Sequence, residues 1–443
     1  MRPRAYVLIL AAATLVRVAA LPLPGTEDVG SWKIWSHAAA RDVTTVYGVG
    51  GDPPIRGVVQ WGERRTTVDY PPVALYELAL VGLVYERVSP GFPDGWQLVA
   101  WLKLPGLLAG AGLTALLFAA VRRLTGQLAP AQWVAVGFWA NPATVLNAEV
   151  LGYLDPLMML PAVAALVLAS SGWPALAGAS LALAILTKPQ GILVAPALGL
   201  LAWHRGSLRG LLRMSLGVTT AASMALLPFA LAGALPNMWL AFGAFYARRD
   251  TLAGYAANFW WIVTWALRAW YSVGAFGFPK AFLLPVRRIL AVSRVRELGF
   301  PNPRPFGTVA TVAACGLMAW RVRRASDLAM LAGFAAFTVH AFFVLSVGVH
   351  EHHLVLAVPL LALAAALRVS LRPVFYAVSA IVFFNLNVFY GISPGWGWAV
   401  PRTLTPIDLS VLLAVVNCIA LVWHGRVLAR EARASWNGAA AIV

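Results

Sequence analysis

LVAWLKLPGLLAGAGLTALLFAA, residues 98–120, carries a single charged side chain, Lys103, and is followed at once by Arg122 and Arg123. A helix of this length is long enough to cross a hydrocarbon core of about 30 Å, and such a core tolerates apolar side chains. Comparable apolar runs of roughly 17 to 24 residues recur from one end of the chain to the other. The whole composition agrees. Of 443 residues 60% are hydrophobic and 12% charged, with a mean hydropathy of +0.75, which excludes an ordinary soluble domain. A β-barrel would instead show short alternating segments. The first run, 6–21, follows Met1-Arg2-Pro3-Arg4 and has no small-x-small cleavage site, so it reads as a retained first span.

The net charge is +17, from 34 basic against 17 acidic residues, and the basic residues are scattered through short loops between apolar runs. That pattern points to membrane topology and not to nucleic acid, because cytoplasmic loops accumulate Arg and Lys beside anionic headgroups. Cys315 and Cys418 both lie in apolar runs without metal-ligand spacing. Placing the basic clusters 2–4, 122–123, 204–213, 321–324, 368–372 and 426–433 on one side gives an all-α polytopic protein. It has about twelve spans (range 11–14), at 5–21, 98–120, 131–147, 152–169, 174–187, 190–203, 212–232, 305–320, 327–347, 352–368, 373–390 and 408–425. Both termini are then cytoplasmic, and 1–443 is a single integral membrane domain.

Two outer loops follow from this parity. The first, 22–97, contains a helix and then a membrane-embedded, re-entrant helix opening at Pro71-Pro72; the second is 233–304, with its Trp-rich part 256–275 at the interface. Lys188 falls in the turn of an outward-facing hairpin, Thr187-Lys188-Pro189-Gln190. The unusual polar residues therefore collect outside. No tandem repeat is present, which weighs against an inverted-repeat transporter.

Several of these outer residues have chemistry to offer. Glu27 and Asp28 stand just past the first span, where a carboxylate in a partly dry setting can take a proton from a hydroxyl nucleophile. Their structural alternative is a helix start, with acids favoured by the dipole. Asp69 precedes Tyr70-Pro71-Pro72 and reads as the N-cap of the next helix, a role compatible with orienting a substrate. The chain has four lysines against thirty arginines; Lys188 and Lys103 either meet a phosphate-bearing lipid or snorkel to the interface. Arg248-Arg249-Asp250 can grip a phosphate or merely meet headgroups. In His350-Glu351-His352-His353 successive side chains diverge, so at most two or three could share an ion, and phosphate contact by His350 or a polar rim are the other readings.

The order of these pieces resembles the dolichyl-phosphate-glucose-dependent glucosyltransferases of the N-glycan pathway, within the multi-span GT-C superfamily. Asp28 with Trp35 is similar to that family's Gly-Asp-aromatic-Glu-Ala-Gln-Arg-His-Trp segment. Asp69-Tyr70-Pro71-Pro72-Val73-Ala74-Leu75-Tyr76 is similar to its Asp-Tyr-Pro-Pro-Leu-Thr-Ala-Tyr, and Thr187-Lys188-Pro189-Gln190 stands where it has Tyr-Lys-Gln. Arg249 before Ala257-Asn258-Phe259-Trp260 resembles its Arg…Val-Ala-Asn-aromatic-Trp, and Val349-His350-Glu351-His352 its Val-His-Glu-Lys.

The resemblance implies a GT-C fold and transfer of a hexose, glucose or mannose, from a polyprenyl-phosphate sugar to a hydroxyl of a glycan, glycolipid or other acceptor, with inversion and without a metal or other cofactor. It makes Asp28 the general base and Lys188, Arg249, His350 and Lys103 the cations at the leaving phosphate. Asp69, Tyr70, Glu27, Asn258, Trp260 and Glu351 become substrate-binding or supporting residues. The departures, Glu27 for the Gly of Gly-Asp and His352 for the Lys after His-Glu, limit the resemblance to reaction class rather than sugar. The membrane implied is a bacterial plasma membrane with the site outside, or the endoplasmic reticulum in a eukaryote. The competing expectation is a transporter or flippase for a lipid-linked or anionic substrate, with ionisable residues at mid-membrane.

Overall fold

The computed structural model describes residues 2–48, 57–248, 250–324, 327–392 and 399–440, and these are mostly helical. The chain divides into two compact units, Met1–Ala140 with Asn147–Arg249 and Asn141–Leu146 with Asp250–Val443.

In the first unit, α1 (Pro3–Ala20) is followed by α2 (Glu27–Asp42), whose first turn carries Glu27 and Asp28 against the positive end of the helix dipole. A short hairpin of β1 (Val58–Trp61) and β2 (Arg64–Thr67) pairs Trp61 with Arg64 and Val58 with Thr67. Then come α3 (Pro72–Val88), α4 (Trp96–Thr125), α5 (Leu128–Trp139), α6 (Asp155–Ser170), α7 (Pro174–Thr187), α8 (Ala195–Leu231) and α9 (Leu235–Arg248). Prolines open α1, α3 and α7 where no amide donor is needed, and Gly126 ends α4 in the left-handed conformation at φ +67°.

The second unit contains α10 (Phe259–Phe276), α11 (Pro303–Val322), α12 (Leu328–Leu345), α13 (Ala357–Leu367), α14 (Arg372–Tyr390) and α15 (Leu409–Ala440). Its centre is α12 and α13, apolar and buried on nearly every side, as expected for helices without a polar face.

Among the described residues seven helices are long and apolar enough to cross a membrane: Pro3–Ala20, Trp96–Thr125, Leu208–Leu231, Pro303–Val322, Leu328–Leu345, Val369–Tyr390 and Leu409–Ala434. Three apolar helices expected from the sequence as full spans, Asp155–Ser170, Pro174–Thr187 and Ala357–Leu367, are shorter than the roughly 20 residues a crossing takes. The helix expected at the start of segment 22–97 and the helix after Pro71 are both present.

Two expectations are corrected. Spans 190–203 and 212–232, separated in the sequence reading by a basic loop, are joined in one helix, α8. Charge does not break a helix; Arg, Leu and Ser are compatible with it, and Gly206 and Gly210 only weaken it. The N-cap of α3 is Pro71, with Asp69 two residues ahead of it, because Pro72 takes the first helical position. Trp260 and Trp261 are buried within the protein, while Trp270, on the other side of α10, is 70% exposed. Segment 233–304 contains α9, α10 and two short helical turns.

The tightest packing in the first unit is between α7 and α8. A Cβ on Gly178 would stand 1.9 Å from the Met214 carbonyl oxygen, and one on Gly217 1.9 Å from that of Ala175. The two backbones are in direct contact, the packing that small residues allow between apolar helices. Gly178→Val and Gly217→Val should each cost at least about 1–3 kcal/mol by forcing the helices apart. Melting in detergent checks this against Gly199→Ala, where no atom lies within 4 Å, which should melt no lower than the parent.

Candidate functional site

The turn that leads into α2, and so to Asp28, is held by its backbone. Gly25 has φ +75°, and a Cβ there would lie 2.8 Å from the Leu151 carbonyl oxygen; the next amide, of Thr26, donates to that same oxygen at 3.0 Å. The opposing segment, Leu146–Val150, is a single π-helical turn. Such turns leave backbone carbonyls without their usual partners. Lys103, 3% exposed in α4, supplies the missing donors: its ammonium donates to the carbonyls of Leu23 (2.6 Å), Glu149 (2.8 Å) and Val150 (3.0 Å). Three protons meet three acceptors. Lys103 is thus the tie between α1, α4 and the turn, and in this arrangement it has no donor left for the phosphate that the sequence reading gave it.

A second buried charge braces the same turn. The Arg17 guanidinium, in α1, donates to Glu149 and to the Trp139 carbonyl oxygen at 2.9 Å, and lies 4.3 Å from the centroid of the Trp139 ring. Both charged side chains are at most 2% exposed. Burial raises the Glu149 carboxyl above its usual range, and Arg17 beside it pulls the other way.

Lys188 has a different environment. It lies between the end of α7 and a 3-10 turn opened by Pro189, and its ammonium donates to Asp155 Oδ1 with both side chains at most 3% exposed. Asp155 Oδ2 accepts from Asn147 Nδ2 at 3.1 Å. The remaining neighbours of the ammonium are rings, Tyr70 with its centroid at 5.6 Å and Tyr153 at 5.9 Å. Among the described residues, two of its three donors therefore have no hydrogen-bond acceptor.

Tyr70 joins this group to α2. Its ring packs against Trp35 at 5.5 Å and Trp32 at 6.2 Å, and its carbonyl accepts from the Tyr47 hydroxyl at 2.7 Å. Asp28, Trp32 and Trp35 are spaced i, i+4 and i+7, so they share one face of α2. Trp32 and Trp35 are buried on that face, and Asp28 is exposed at its N-terminal end, as is Glu27 on the neighbouring position. Asp69 is half-buried beside Tyr70. Sequence segments 27–35, 69–72 and 187–190 thus meet in the first unit around Tyr70 and Lys188.

The remaining candidates belong to the second unit. His350 forms a parallel bridge with Gly254, whose amide donates to the Val349 carbonyl oxygen at 2.8 Å; a Cβ on Gly254 would fall 2.8 Å from His350 Nδ1. The imidazole lies on bare backbone and is 30% exposed, whereas Glu351, His352 and His353 are buried. Asn385 holds this segment to the start of α10 by accepting from the Ala257 amide at 2.7 Å and donating to the Glu351 carbonyl oxygen at 2.9 Å. Asn258 caps α10 through the Trp261 amide and donates to the Phe343 carbonyl oxygen, and Trp260 Nε1 donates to that of Leu345. Asn258 and Trp260 are supporting residues in this arrangement. Arg249 lies outside the described residues.

Sequence reasoning passed over Arg17, and it grouped 147–155 with the outer polar segments without giving Asn147, Glu149, Tyr153 or Asp155 a role. The signal available was an acid inside an apolar stretch, Glu149 and Asp155 on either side of Leu151-Gly152, a combination that needs a cationic partner. Among the described residues no group of three or more His, Cys, Asp or Glu side chains could hold a metal ion. No family model matches the chain, and no curated protein matches it.

The Arg17–Glu149 pair gives an ordered prediction. Glu149→Leu leaves a buried guanidinium without its carboxylate and should cost about 3–5 kcal/mol. Arg17→Met leaves a carboxyl that burial already pushes toward protonation and should cost less, about 1–3 kcal/mol. Denaturation of the two variants in detergent checks the order.

Proposed function

We propose that the protein is a membrane glycosyltransferase of GT-C type that moves a hexose from a polyprenyl-phosphate donor to an acceptor hydroxyl on the outer or lumenal face. The observation that carries this reading is the shared face of α2: Asp28 at its open end, Trp32 and Trp35 along it, and through Tyr70 the Lys188 ammonium with donors to spare. A carboxylate, an aromatic wall and a cation are what an inverting displacement on a sugar phosphate requires.

In this mechanism Asp28 takes the proton of the acceptor hydroxyl as its oxygen attacks the anomeric carbon. The bond from that carbon to the phosphate oxygen breaks, and polyprenyl phosphate leaves with the electron pair. Lys188 meets the charge that develops on the phosphate, with His350 and Arg249 assigned to the same task by the sequence resemblance. Asp69, Tyr70 and Glu27 line or brace the substrate region, Lys103 holds the turn before α2, and the sequence resemblance gives Glu351 a supporting role. A lipid-borne donor suits a site on the face away from cytosolic nucleotide sugars. About twelve spans, a bacterial plasma membrane (or the endoplasmic reticulum in a eukaryote) and a glycan or glycolipid acceptor complete the reading. It calls for no metal.

A second reading, a transporter or flippase of a lipid-linked or anionic substrate, is favoured by one observation. Two ion pairs, Arg17–Glu149 and Lys188–Asp155, are buried beside a broken helical segment. Reconstituted protein given radiolabelled polyprenyl-phosphate hexose separates the two, since a transporter moves the label across the bilayer without releasing polyprenyl phosphate.

For the transferase, Asp28→Asn should slow polyprenyl phosphate release about 10²–10⁴-fold, the usual worth of a general base. Equal rates in wild type and variant would falsify the base assignment. Lys188→Met should lower kcat about 10²–10³-fold, as loss of one donor to a developing oxyanion does. Steady-state kinetics on detergent-purified variants with wild-type melting behaviour supply that check.

A further inference from the structure

The two buried lysines of the first unit differ in one respect that the proposed reaction does not itself explain. Lys103 meets three carbonyl oxygens and is saturated. Lys188 meets one carboxylate oxygen and two aromatic rings. A flexible four-carbon stem carrying an unsaturated ammonium would sample several rotamers unless something fixed its end.

We infer that Asp155, oriented by Asn147, is the positioning residue for Lys188. It holds the ammonium at one point so that the two remaining donors can receive the oxygens of a phosphate group. The inference rests on the glycosyltransfer reading and deepens it by assigning the device that places its phosphate-binding cation.

Three observations carry it. Asp155 opens α6 next to Pro156, so its backbone is set by a helix start and not by a free loop. Its two oxygens are divided, Oδ1 to Lys188 and Oδ2 to Asn147, which fixes the plane of the carboxylate. Asn147 is 1% exposed on the π-helical turn, and the Tyr153 amide donates to its carbonyl oxygen at 3.0 Å, so the orienting amide is itself held. With Nδ2 committed to Asp155, Asn147 Oδ1 is buried without a hydrogen-bond partner among the described residues, an acceptor suited to a hydroxyl of a bound ligand. Spare donors and a spare acceptor thus flank one carboxylate, and a phosphorylated sugar presents the complementary pair.

The carboxylate has a second effect on selectivity. It already neutralises Lys188, so the site does not hold a bare buried cation that any small anion would satisfy. A ligand must bring its own favourable contacts to stay, which suits a large lipid-linked donor better than a free inorganic ion.

The test uses full-length protein in lipid nanodiscs, with polyprenyl-phosphate hexose as substrate and kcat and KM measured separately. Asp155→Asn should lower kcat about tenfold to a hundredfold, as small misplacements of a catalytic group do, with KM for the donor within about threefold. Asp155→Glu keeps the charge but displaces the ammonium, so its kcat should fall between those of wild type and Asp155→Asn. The double variant Asp155→Asn/Lys188→Met should be no slower than Lys188→Met alone, because a positioning residue has no effect once its target is gone. Multiplying losses in the double variant overturn the inference, as does wild-type kcat in Asp155→Asn. If Asp155→Asn is not recovered folded, Asp155→Glu decides: a lowered kcat with unchanged melting temperature upholds the inference, and wild-type kcat overturns it. Wild-type protein that releases no polyprenyl phosphate from any such donor removes the glycosyltransfer reading and this inference together. An active wild type with an indifferent Asp155 removes the inference alone.

Discussion

A charge buried among apolar helices must be given partners, and the Lys103 ammonium with its three carbonyls is the interaction on which the first unit depends. Those carbonyls come from the end of the first helix and from a π-helical turn, neither of which can satisfy them internally. The lysine therefore fixes the position from which α2 starts, and with it the direction in which Asp28 and the two tryptophans point. Gly25 belongs to the same device, since its left-handed backbone brings the chain against Leu151 where a side chain would not fit.

The same rule produces different results at different places. At Arg17 and Glu149 it produces a closed ion pair, with the guanidinium also satisfied by a carbonyl and a tryptophan face. At Lys188 it produces a buried pair in which aromatic rings stand in for further acceptors. Rings attract a cation without occupying its hydrogen bonds, so the ammonium stays available. This contrast in saturation, more than burial or charge, separates Lys103 from Lys188.

Asparagine does in the second unit what lysine does in the first. Asn385 and Asn417 each reach the backbone of Ala257, and Asn385 continues to the Glu351 carbonyl oxygen, so the segment around His350 is tied to the start of α10 without an ion pair. A neutral amide can both donate and accept, which lets one side chain satisfy two strands of irregular backbone. The imidazole of His350 then rests on Gly254, the one residue type that lets it approach so closely.

Helicity, apolar spans, the helical start of the first outer loop and the residue types able to do chemistry were all determined by the sequence, because hydrophobic length and charge placement are local properties. Local signals could not give the continuity of α8, since a basic cluster marks a membrane surface without stopping a helix. Nor could they separate Lys103 from Lys188: both are lone lysines in apolar surroundings, and only the acceptors brought to each by distant segments tell them apart. Asp155 and Asn147 went unread for the same reason, their partner being 33 residues from Asp155 along the chain. What each buried polar group does is decided by which other group the fold carries to within 3 Å of it, and that is a property of the tertiary structure alone.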